Sequence, residues 1–313
     1  MNAKMIITAG ALMVAAGVSA DTLRVNNVAS AGAQFTSIED AIEAASEGDI
    51  IIVEASETSY GDIIVNKKVT LKGPGYFLQE NGISNEGVAT ATCDNVSIGA
   101  EGATITGMVI DRELKMRANN LLVTRNYVGA GISLCESYSY TDKFISNGVI
   151  HQNFIRTGIS GDNYSAPAEN IQVTNNIISG DAEAIVGNMT NSVISRNTII
   201  GNGPGCRNLS NCVIEWNIGC QIQNTSGSNS ISDNYDIGTY EANGLYGNFY
   251  VRKDAVVKET DPTLAPDKGA FSGDDPYVLS GVPAGPYIQD IIMPESVVKG
   301  EDLKVTVKIG VSK

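Results

Sequence analysis

The feature that most restricts this chain is a recurring pattern, N-x-x-[VI]-x-x-N. NLLVTRN begins at Asn120, NGVIHQN at Asn147, NIQVTNN at Asn170, NSVISRN at Asn191 and NCVIEWN at Asn211. NKKVTLK from Asn66 and NVSIGAE from Asn95 keep the first asparagine and the aliphatic residue, while SNSISDN from Ser228 keeps the aliphatic residue and the last asparagine. Units recur every 17 to 29 residues, the length of one solenoid coil. Their fourth position is Val69, Ile98, Val123, Ile150, Val173, Ile194, Ile214 or Ile231, which predicts one aliphatic interior column. The apolar stretches are short, β-branched and bounded by Gly and Asn, so they read as strands; helical repeats need longer runs of period 3.6.

Like positions on stacked strands lie about 4.8 Å apart. Asparagine suits such a stack because it tolerates a left-handed turn and its amide can bond to the coils above and below. An inward polar group is costly unless paired, and a ladder pairs it. The expected ladder comprises Asn95, Asn120, Asn126, Asn147, Asn153, Asn170, Asn176, Asn191, Asn197, Asn211, Asn217 and Asn234. A second column, Tyr127, Phe154, Ile177, Thr198, Ile218 and Tyr235, is read as side-chain stacking. The repeat is interrupted by CESYSYTDKFIS (Cys135 to Ser146) and DNYSAPAE (Asp162 to Glu169). These insertions follow strands of neighbouring coils and are expected to form a rim on one side.

Solenoid ends need caps. Thr36 or Ser37 is placed to N-cap SIEDAIEAASEGD, where Ile38, Ala41, Ile42 and Ala45 share a helical face and Gly48 is expected to stop the helix. FTSIEDAIEAA, then GDIIIV, Tyr60 and NKKVTLKGPG together resemble the opening of proteins of the pectin-lyase-like superfamily, and the likeness extends over Ala33 to Asp236. VEASETSY departs from that pattern, which more often has a proline and a glycine before the tyrosine. The tail, SGVPAGPYI to VTVKI, is similar to that of secreted bacterial β-helix repeat proteins. Two strand-like runs, Tyr287 to Met293 and Leu303 to Val311, are expected to dock as a cap on the last coil. The expected fold is therefore all-β, a right-handed parallel β-helix with an N-terminal capping helix and a C-terminal β tail. Its parts are a signal peptide (1–20), the capped helix (21–250), and a C-terminal wrap and β tail (251–313).

MNAKMIITAGALMVAAGVSA carries one lysine, a short apolar stretch and a Val18-Ser19-Ala20 cleavage site, which reads as a secretory leader. The apolar run is shorter than the roughly 20 residues a membrane span needs. The protein is expected outside the cell, at its surface or in the periplasm, with no membrane span after cleavage. A net charge of −14 disfavours nucleic acid as a partner. Five cysteines, Cys93, Cys135, Cys206, Cys212 and Cys220, form neither a disulfide scaffold nor a recognised zinc spacing, and buried thiols are expected.

The resemblance implies several activities, since this architecture serves lyases, hydrolases, epimerases and adhesins. Lyases of this type use clustered acids for calcium with an arginine or lysine base; polygalacturonase-like hydrolases carry NTD, DD, GHG and RIK. The coils hold no DD, GHG or RIK. The sole histidine, His151, reads as an exposed turn residue, which leaves no base for a Ser or Cys nucleophile system. Glu136 and Asp162, with Lys143, are the catalytic candidates, because adjacent coils approach the roughly 5 to 5.5 Å carboxyl separation of retaining glycosidases. Tyr138, Tyr140, Asp142, Asn163 and Tyr164 are the ligand candidates, rings for a sugar face and polar groups for its hydroxyls. No cofactor or metal is assigned, and calcium has no supporting ligand pattern. The expectation is a binder of extracellular polysaccharide without catalysis; a polysaccharide lyase or glycoside hydrolase and a structural or adhesive surface protein are the alternatives.

Overall fold

A computed structural model describes residues 20–79, 81, 90–135, 145–161, 167–179, 185–200, 205–219, 221–223, 225–234, 268–292 and 304–312. The solenoid is a parallel β-helix of three sheets, with ten, six and nine strands. Each full coil visits them in that order, as in Leu122–Thr124, Tyr127–Val128 and Ile132–Leu134, before the next coil begins at Val149–His151. Strands of two to six residues suffice because each coil exposes its backbone edges to the coils on either side, where the parallel ladders close.

The interior column of the ten-strand sheet runs in register through Leu71, Ile105, Val123, Ile150, Val173, Ile194, Ile214 and Ile231. All are fully buried except Ile231, which is 50% exposed. Two predicted members are displaced. Val69 precedes the strand Thr70–Lys72, and Ile98 belongs to the nine-strand sheet, beside Val65 and Met116. Asn66 stands at the same corner as Asn120 but five rather than three residues before its column residue, Leu71, while Asn95 lies one corner earlier, before the nine-strand sheet, so the alignment fell short of the column by two residues at Val69 and by seven at Ile98.

Helix α1, Ile38–Ala44, packs Ile38, Ala41 and Ile42 against the core at the first coil. Ser37 is its N-cap, accepting a hydrogen bond from the Asp40 N–H at 3.1 Å. Glu39 and Asp40 lie in the first turn, where the helix dipole favours negative charge. The helix ends before Ala45, ahead of the expected stop at Gly48. Lys67 Nζ donates to the carbonyls of Glu43 and Ala45, occupying acceptors the helix leaves open.

Residues 268–285 run lengthwise back along the solenoid, so the strand pair expected to cap the last coil instead begins beside Lys72, on an early coil. Gly269 N donates to Trp216 O at 2.8 Å and Tyr76 N to Ser280 O at 2.8 Å, while Lys72 Nζ reaches Ala284 O at 3.4 Å. This strap covers the outward column of the six-strand sheet. Tyr127 and Phe154 stack there at 5.4 Å, with Phe77 edge-on to both, and Tyr76, Ile177, Ala270 and Tyr277 complete a second core outside the coils. Beyond the strap, Gly285–Ile292 pairs antiparallel with Thr306–Ser312, slightly offset from the predicted runs.

Burial sets a pH response. The hydroxyls of Tyr76 and Tyr277, 2.6 Å apart, are both pushed above the ordinary tyrosine value by desolvation. The Cys93 thiol is pushed up by burial and then by the carboxylates of Asp111, Asp94 and Asp62. Groups that hold their protons more tightly when folded stabilise fully below their unfolded values, about 8.5 for a thiol and about 10 for tyrosine, and progressively less as pH rises above them. The urea midpoint is therefore expected to fall between pH 7.5 and 10.5. Cys93 alone accounts for about 1.4 kcal/mol per pH unit above the thiol value, and an unchanged midpoint contradicts the prediction.

Candidate functional site

The asparagines divide into two columns with different work. Asn120, Asn147, Asn170, Asn191 and Asn211 have φ between 50° and 59°, so they supply the left-handed turn into the ten-strand sheet. They are not inside the coils: Asn120 Nδ2 donates to Glu101 and Asn191 Nδ2 to Glu169, while Asn170 Nδ2 bonds to Asn147. The ladder proper is Asn126, Asn153, Asn176, Asn197, Asn217 and Asn234. The N–H and the Nδ2 of each of the first five donate to the Oδ1 of the next, at 2.8 to 3.1 Å. The second Nδ2 hydrogen goes to a carbonyl one coil back, as from Asn176 to Ile150 O at 2.8 Å. Asn95 belongs to neither column; it bonds to Asp62 at the corner before the nine-strand sheet.

The left-handed residue at the ladder corner is the one before each ladder asparagine: Arg125, Gln152, Asn175, Arg196, Trp216 and Asp233. Their side chains point outward as a rail that grips the strap. Arg125 Nη1 donates to Val282 O at 2.9 Å, Gln152 Nε2 to Pro276 O at 2.7 Å, and Asn175 Nδ2 to Ala270 O and Ser272 O. Burial pulls the Arg125 guanidinium below its ordinary value, with Asp275 and Tyr76 acting the other way. The Trp216 ring has the Arg196 guanidinium at 5.2 Å and the Lys268 ammonium at 4.9 Å. His151 is no exposed turn residue: it ends a strand, bonds Thr174 through Nδ1 at 2.8 Å and meets Asp275 through Nε2 at 3.0 Å. The rail and His151 are thus structural.

The more open chemistry follows the nine-strand sheet and its exit corner. On the outward face Ser97, Lys115, Ser133 and Ser160 are in register. Glu113 accepts from Ser133 Oγ at 2.8 Å and pairs with Lys115 at 3.1 Å; Asn188 Nδ2 donates to Ser160 Oγ and Asn208 Nδ2 to Asn188 Oδ1, each at 2.9 Å. At the exit corner of the earlier coils a cleft of about 500 Å³ is lined by Glu47, Asn66, Lys67, Lys68, Glu101 and Asn120.

Glu136, Tyr138, Tyr140, Asp142, Lys143, Asp162, Asn163 and Tyr164 lie outside the described residues. Their roots do not. Leu134 and Gly161 are partners in the parallel pairing of adjacent coils, so the two insertions depart from one edge, two residues before Glu136 and one before Asp162. Cys93 and Cys212 are buried thiols, Cys206 is buried and Cys135 half-buried. Among the described residues no three His, Cys, Asp or Glu side chains form a candidate metal site, and no helix is long and apolar enough to cross a membrane.

Comparison with known protein families, curated proteins and solved structures found no match. The class defined by the fold is the parallel β-helix-like solenoid.

Proposed function

We propose that the chain is an exported, non-catalytic binder of extracellular polysaccharide, of the pectin-lyase-like kind. The binding path follows the corner where the nine-strand sheet passes to the ten-strand sheet. One observation carries this reading: the mixed-charge cleft and the roots of both tyrosine-bearing insertions occupy successive coils of that corner. Such a row offers donors and acceptors at the inter-coil repeat of about 4.8 Å, suited to a linear polymer of hydroxyl-bearing rings. Glu113 is already engaged by Lys115 and Ser133, which favours binding over acid–base work at that position.

A glycan array probed with the mature chain, scored for retention and for cleavage, tests the reading. Retention without cleavage is expected. Replacing Tyr138, Tyr140 and Tyr164 together by alanine should weaken it at least tenfold, since aromatic contacts contribute about 0.5–1.5 kcal/mol each. Cleavage abolished by Glu136→Gln with Asp162→Asn would instead make it a lyase or hydrolase. Neither retention nor cleavage would make it a structural or adhesive surface protein.

A further inference from the structure

Near the start of the described chain the Asp49 carboxylate accepts two backbone N–H groups. It is only 5% exposed, in the turn between α1 and the strand Ile50–Val53. Oδ2 accepts from Ser46 N at 2.8 Å and Oδ1 from Asp21 N at 2.8 Å. Its own carbonyl accepts from Thr70 N at 3.0 Å. One residue thus joins the segment after the helix, the first strand and the following coil. Asp21 is also the residue immediately after the small-residue cleavage site Val18-Ser19-Ala20.

We infer that leader removal turns this hydrogen bond into an ion pair: the α-ammonium of Asp21 docks on the Asp49 carboxylate and fastens the first strand. The inference rests on the export reading of residues 1–20. A leader-removing protease hydrolyses the Ala20–Asp21 bond. The water hydroxyl goes to the Ala20 carbonyl carbon, giving a carboxylate, and the nitrogen of Asp21 keeps its hydrogen and gains protons to become –NH₃⁺. That nitrogen already stands at bonding distance from Oδ1, so the charge arises at the acceptor, and charge-assisted bonds are roughly twice as strong as neutral ones. Before cleavage the same nitrogen is an uncharged amide.

The charged side chains on the elements around this terminus are those of Asp21 itself, Arg24 on the first strand, Glu39, Asp40 and Glu43 on α1, Glu47 and Asp49 on the turn, and Lys67 and Lys68 on the next coil, whose backbone joins the turn through Gly48 N and Lys68 O. Lys67 is engaged by the end of α1. An α-amino group titrates at about 7.7–8.0 when free, and a carboxylate partner raises that value in the folded state. The added stability is complete below the free value and is lost as pH rises through the folded one.

The test uses chain released from a fusion so that it begins at Asp21, with the α-amino nitrogen followed by NMR through a pH titration. A pKa about one unit above the free value is expected, equivalent to a tenfold preference for the folded state, and Asp49→Asn should abolish the shift. Should that variant not fold, a chain retaining Ala20 serves, with its amino group one residue further out and expected at the ordinary value. An unshifted pKa in the Asp21 chain overturns the ion pair while leaving the leader reading intact. Sequencing of the exported protein separates the two: a first residue other than Asp21 overturns the inference through the leader reading.

Discussion

Asn176→Ala is expected to lower the unfolding free energy by about 3–5 kcal/mol, read as a lower denaturant midpoint without a change of slope. Asn176 is fully buried, and its amide serves three neighbours. Its Oδ1 accepts from the N–H and Nδ2 of Asn153, and its Nδ2 donates to Ile150 O and to Asn197 Oδ1. Alanine leaves those partners buried without the amide that paired them, and each unsatisfied group costs about 1–3 kcal/mol. Asn170→Ala is the control. That asparagine is exposed and left-handed, and its replacement is expected to cost about 1–2 kcal/mol, chiefly through backbone strain, since its one side-chain bond, to Asn147, lies at the surface. Equal losses from the two variants would contradict the division of the asparagines into turn and ladder columns.

Phe154→Ala is expected to cost about 3–5 kcal/mol and, in addition, to loosen a segment far away in sequence. Phe154 is 4% exposed, stacked on Tyr127 and edge-on to Phe77. It belongs to the core that the strap covers, together with Ala270 and Tyr277. Limited proteolysis should therefore cut this variant between residues 268 and 285 under conditions that leave the parent chain whole. Combined with Gln152→Ala, which removes strap contacts at Asp275 and Pro276, the losses should be non-additive, because both changes release the same segment. Additive losses with an intact strap would contradict it.

The coil architecture was legible because a β-helix repeats its physics at each turn: Val123, Ile150, Val173, Ile194 and Ile214 occupy one column in sequence and in space. The first coils were misread because Asn66 stands two residues further from its column residue than later turn asparagines do and Asn95 sits at another corner, and spacing alone shows neither. The two duties of asparagine were merged for a related reason. The left-handed residue beside the ladder is Arg125, Gln152 or Trp216, and none of these side chains announces that backbone. Yet this position held the missing signal. Long polar and aromatic residues filling a tight-turn column where Asn or Gly is easier indicate an outward partner, and residues 268–285 are that partner. The strap itself stayed hidden because its contacts obey no repeat. The candidate ligand site was legible only as interruptions of the period, at 135–146 and 162–169; the shared departure edge is visible only once Leu134 is paired with Gly161.

The strap also changes how such a molecule comes together and comes apart. A plain solenoid depends on nearest neighbours, so it can grow from any coil and fray from either end. Here Tyr76 meets Tyr277 across 201 residues, and Lys72 meets Ala284 across 212. These closures have the largest sequence separation and the heaviest entropic cost, so they form last, after the intervening coils have shortened the path. During synthesis the early coils wait for chain beyond residue 285 before their outer face is sealed. Once sealed, fraying at either end must also break contacts that bind the two ends into one cooperative unit.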